Sequence, residues 1–92
     1  MDRAHARAVV VAELAAYRGK SYTELAGAIG EVSAYEVANP DGQPYQVEVQ
    51  VTWDARPGGD IRVMGAIDDG GWSAFRPLTE DFLVTPEDTV LG

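Results

Sequence analysis

Apolar and polar positions change their period once along the chain. Between Asp2 and about Arg18, Val10, Val11, Leu14 and Tyr17 recur at the three- and four-residue spacing of one buried helical stripe. Asp2 can cap this helix and Gly19 is the expected stop. Arg3 and Arg7 stand against the helix-dipole preference, and Arg18 with it. Ser21-Tyr22-Thr23-Glu24 matches a capping box, in which Ser accepts from the third residue's N–H and Glu reaches back. It predicts a second helix from Tyr22 to Ile29, with Leu25, Ala26 and Ile29 on one side and Gly30 at its end.

From Glu31 the period becomes two. Tyr45-Gln46-Val47-Glu48-Val49-Gln50-Val51-Thr52-Trp53 alternates without a break, giving one face of Tyr, Val and Trp and another of Gln, Glu and Thr. This is a strand with one buried face. Asn39-Pro40-Asp41-Gly42 before it and Arg56-Pro57-Gly58-Gly59 after it read as turns. Glu31 to Val37 is a first strand, with Tyr35 and Val37 inward. Ile61, Val63 and Ile67 mark the inner face of a third. Asp68-Asp69-Gly70-Gly71 reads as a hairpin turn leading to a short last strand, Trp72 to Arg76, and Pro77 suits a strand end because it lacks an N–H donor.

A slip of one residue exchanges the faces of a strand, so face matching fixes register. Pairing Val51 with Val63 sets Trp53 opposite Ile61 and Val47 opposite Ile67. Pairing Tyr35 with Val47 sets Val37 opposite Tyr45. For the last hairpin, pairing Val63 with Phe75 buries Phe75 and turns Trp72 and Arg76 outward. The other frame buries Arg76, which is unfavourable unless the charge is paired. Thr79-Glu80-Asp81-Phe82 can cap a single helical turn, Phe82 to Val84 are expected to dock on the core, and fraying is expected after Pro86.

These elements predict an α+β fold in one domain. Two N-terminal helices (residues 1–30) cover one face of a four-stranded antiparallel meander (31–77, order 1-2-3-4). A short irregular or helical tail (78–92) follows. At 92 residues there is room for one core. A chain this size buries roughly 60–65% of its unfolded surface. Apolar residues make up 46% of the chain, so the disorder signature is absent despite the charge.

Charge changes the picture more than size does. The formal net charge is −8, unevenly spread. Residues 1–30 carry four cations against three carboxylates, a net of +1. Residues 31–92 carry three arginines against twelve carboxylates, a net of −9. Such a field repels nucleic-acid phosphates and attracts basic partners. Residues 23–30 (Thr-Glu-Leu-Ala-Gly-Ala-Ile-Gly) resemble the first helix and turn of helix-turn-helix DNA-binding domains. A recognition helix should follow, yet residues 31–37 read as a strand and lack basic residues, so nucleic acid is not an expected partner. No run approaches the ~20 apolar residues of a membrane span, and no signal peptide is read. The absence of cysteine removes thiolate chemistry and fits a reducing, cytoplasmic compartment. Arginine outnumbers lysine six to one, which hints at a GC-rich bacterial genome.

Little points to catalysis, and no cofactor or metal is expected. His5 is the single histidine, placed on an exposed first helical turn where no Ser-His-Asp set can form around it. Asp68-Asp69-Gly70-Gly71 lacks calcium-loop spacing and suits turn conformation. The remaining candidate is the open face of the sheet, carrying Glu48, Gln50, Thr52, Arg62, Met64, Asp68, Trp72 and Arg76. Trp, Met and Arg are enriched at interface centres. The expectation is a non-enzymatic domain that binds another protein or its own copy there, similar in size and charge to small acidic bacterial inhibitor and immunity proteins. Three alternatives stand beside it: a small-molecule or metal-binding domain with weak catalysis, a structural fragment of a larger assembly, or a face covered by the C-terminal tail.

Overall fold

The computed structural model describes residues 1–71 and 76–92. Helix α1 (Arg3–Arg18) and the short helix α2 (Tyr22–Ala26) precede strands β1 (Val32–Val37), β2 (Tyr45–Trp53), β3 (Ile61–Asp68), β4 (Leu78–Val84) and β5 (Val90–Leu91). The strands form one antiparallel sheet in chain order. The fold is therefore α+β, a helical segment followed by an antiparallel sheet.

The Asp2 side chain accepts from the His5 amide at 3.1 Å and caps α1. Its buried stripe is Ala6, Val10 and Leu14, flanked by half-buried Val9 and Tyr17. Val11, expected in the stripe, is 47% exposed. Small Ala6, not a large apolar residue, sets the stripe one turn before Val10, and that spacing turns Val11 away. Val10 and Leu14 settle onto Gly65 of β3. A Cβ there would lie 2.8 Å from Val10 Cγ2 and 3.2 Å from Leu14 Cδ2, so the missing side chain lets the helix sit close to the sheet. α1 packs across β3 and β4 and barely reaches β2.

The capping box forms at Ser21 and Glu24. α2 ends at Ala26, short of the expected Ile29, and residues 27–30 continue as turn to Gly30 at φ 87°. The Asp88 carboxylate accepts the Tyr22 amide, and the Tyr22 hydroxyl donates to the Gly59 carbonyl at 2.8 Å. The short helix is thus held from the β2–β3 loop and from the turn before β5.

The first three strands pair as face matching requires: Tyr35 with Val47, Val37 with Tyr45, Val47 with Ile67, Val51 with Val63, Trp53 with Ile61. The fourth strand differs. Val63 faces Phe82, not Phe75, and β4 occupies residues expected to be tail. Leu78, Phe82 and Val84 point inward, but the inward position between Leu78 and Phe82 belongs to Glu80, whose carboxylate pairs with Arg7 of α1. That charge interrupts the apolar alternation and disguises the strand. The Arg18 guanidinium lies 4.5 Å over the Phe82 ring. The end of the tail does not fray at Pro86: Thr85 and Thr89 close a turn, and β5 pairs with the end of β4. The predicted strand at Trp72 to Arg76 falls largely on residues 72–75, outside the described residues. Arg76 itself is exposed in a bend before β4 and does not sit on the sheet.

Candidate functional site

Because side chains alternate along each strand, the pairing register also fixes the face that α1 and α2 leave open. It presents Val32, Ala34 and Glu36 from β1, Gln46, Glu48, Gln50 and Thr52 from β2, and Arg62, Met64, Ala66 and Asp68 from β3. Thr79, Asp81 and Leu83 of β4 complete it. Of the six predicted site residues, Glu48, Arg62, Met64 and Asp68 share this face. Trp72 lies outside the described residues and Arg76 stands away from the strands. The tail does not cover the face. It extends the sheet edgewise as β4 and β5.

Arg62 is committed to its neighbours. Its Nε and one terminal nitrogen donate to Asp54 Oδ1 at 3.0 and 2.8 Å, and the other terminal nitrogen pairs with Asp81. The Asp54 hydrogen bond outweighs desolvation and holds the guanidinium above its ordinary pKa. Glu36, Glu48 and Asp68 have no cation in any ion pair among the described residues. Glu36 accepts from Gln46 at 3.2 Å, Glu48 from Gln50 at 2.8 Å, and Asp68 from the Gly70 amide at 2.8 Å. These bonds orient the carboxylates and leave their charge uncompensated. The three acids border an open concavity of about 520 Å³ that Ala34, Tyr35, Val47, Ala66 and Pro77 also line. Carboxylates around small apolar residues suit a Lys or Arg side chain, whose stem is apolar and whose head is charged.

The other face has its own opening. α1 lies mainly over β3 and β4, and a groove of about 510 Å³ runs between α2 and β1 past Tyr17, Lys20, Leu25, Glu31 and Ser33. Further along β1, Tyr35 is 36% exposed. Partial burial, then a hydrogen bond to Glu13, raise its phenol well above the ordinary value.

His5, expected to be exposed, instead lies half-buried against Tyr45. Its Nδ1 is 2.9 Å from the Tyr45 hydroxyl, and the rings meet edge to face at 5.5 Å. Burial, reinforced by Asp2 and Asp69, pushes the Tyr45 phenol up. Asp69 Oδ1 accepts the Gly71 amide at 3.3 Å and Asp69 Oδ2 lies 3.6 Å from the N-terminal amine, so the 68–71 acids serve local turn and chain-end contacts. Among the described residues, no helix is long and apolar enough to cross a membrane.

No family model, curated protein or solved structure matches the chain.

Proposed function

We propose that this domain is a non-enzymatic binding module whose open sheet face receives a basic segment of another protein. The observation that carries the reading is the imbalance of that face: its one described cation, Arg62, is absorbed by Asp54 and Asp81, while Glu36, Glu48 and Asp68 stand uncompensated around a shallow apolar floor. With a net charge of −8 on the chain, association is electrostatically steered and therefore weakened by salt. The test is a fluorescence-anisotropy titration with a short peptide of alternating arginine and valine. Affinity is expected to fall by about tenfold between ~20 and ~200 mM salt. It should fall similarly in the combined variant Glu36→Gln, Glu48→Gln, Asp68→Asn. Affinity indifferent to both changes would overturn the reading. The groove between α2 and β1 supports a second reading, a small-molecule site, because its volume falls in the range of ligand pockets.

A further inference from the structure

The two edges of the sheet are unequal. At one edge, β4 carries the inward-pointing Glu80 tied to Arg7, and β5 pairs with its last residues. Inward charges and very short edge strands are devices that blunt an edge against added strands. At the other edge, β1 reads Val-Ser-Ala-Tyr-Glu-Val. It has no proline, no lysine and no inward-pointing charge. Val32 is 57% exposed and Tyr35 36%, and β1 meets the helical layer only lightly, through Tyr35 and Glu13.

The ladder fixes which backbone groups are free. Glu31 opposes Val51, and its carbonyl accepts the Val51 amide at 3.3 Å. Bonded and non-bonded positions alternate in an antiparallel pair. Ser33, Tyr35 and Val37 therefore direct their backbone groups to β2, and Val32, Ala34 and Glu36 direct theirs outward. Concavities flank this edge on both sides of the sheet. The outer one contains Ala34, Glu36 and Glu48, and the inner one contains Glu31 and Ser33 with Glu24 and Lys20. A strand laid along β1 would send alternate side chains into the two, the arrangement in which main-chain bonds supply affinity and pockets supply specificity. Glu48 lies one strand further in, about 10 Å from the added strand, within reach of an arginine stem.

We infer that the basic segment binds as an added antiparallel strand on β1, its backbone paired with Val32, Ala34 and Glu36 and its alternate side chains entering the two concavities, the basic ones on the outer, acidic side. This rests on the acidic-face reading and names the edge that does the binding. Charge complementarity selects a basic extended segment over a second copy, which would bring another −8 to the same edge.

Ala34→Pro removes an outward N–H and leaves the β2 ladder intact, a position where an edge strand accepts proline. The same arginine–valine peptide is titrated against wild type and Ala34→Pro, with urea unfolding confirming that the variant is folded. A second titration uses the peptide N-methylated at alternate residues, which tests the edge without changing the protein. Loss of at least about tenfold in affinity is expected in both. Binding that survives both changes but is lost in the three-carboxylate variant would overturn the strand inference and leave the acidic-face reading standing. Binding that is insensitive to salt and to charge neutralisation would overturn both. Sedimentation showing a wild-type dimer that Ala34→Pro dissolves would assign the edge to a second copy and overturn the inference.

Discussion

Single residues decide how closely the layers meet and how the molecule responds to pH. Gly65 is a point of close approach between α1 and the sheet, with no space for a methyl beneath Val10. Gly65→Ala is expected to destabilise the fold by about 1–3 kcal/mol through overpacking, measured by urea unfolding. Nothing in the residue order marks Gly65 as this seat, because closeness depends on where the helix crosses. Tyr45 and Tyr35 contribute to the response at alkaline pH. Both phenols are held above the ordinary 10.0 in the folded chain. The unfolded chain releases those protons first, so their contribution to stability is whole below pH 10 and shrinks as pH rises above it. Denaturation midpoints followed upward in pH should fall beyond that point, and less steeply in Tyr45→Phe. The phenylalanine variant also loses the contact with His5, costing about 1 kcal/mol near neutrality.

Among the elements, β4 is where pattern and structure part. Phe82 is 1% exposed, sits opposite Val63 and lies under Arg18. Phe82→Ala is expected to cost about 3–5 kcal/mol, a core loss that a docked tail residue would not show, and thermal or urea unfolding measures it. The β2 strand was legible because its inward positions, Tyr45, Val47, Val49, Val51 and Trp53, are all apolar, leaving one register with each neighbour that keeps faces matched. β4 was not, because Glu80 takes an inward position and only a partner 73 residues away, Arg7, makes that tolerable. Likewise the tail turn is held by Asp88 meeting the Tyr22 amide, a contact between chain ends that no local pattern contains. Capping boxes and strand alternation are local and could be read. Ion pairs across the fold could not.

At the scale of the whole molecule, the helical layer lies mainly over the β3–β4 side of the sheet and leaves the outer edge of β1 exposed, while the residues from 31 onward carry a net −9. The acidic bias and the shared face of four of the six candidate residues were readable, since alternation assigns them to one side of the sheet. The unequal edges were not, because they depend on which strands the helices reach. The measurement that tests the account most directly is an amide chemical-shift titration of the labelled protein with the arginine–valine peptide. The largest changes are expected at Val32, Ala34, Glu36, Glu48 and Asp68, together with slowed exchange of the Ala34 amide. Changes spread evenly over the acidic residues, or confined to α2 and its groove, would contradict it.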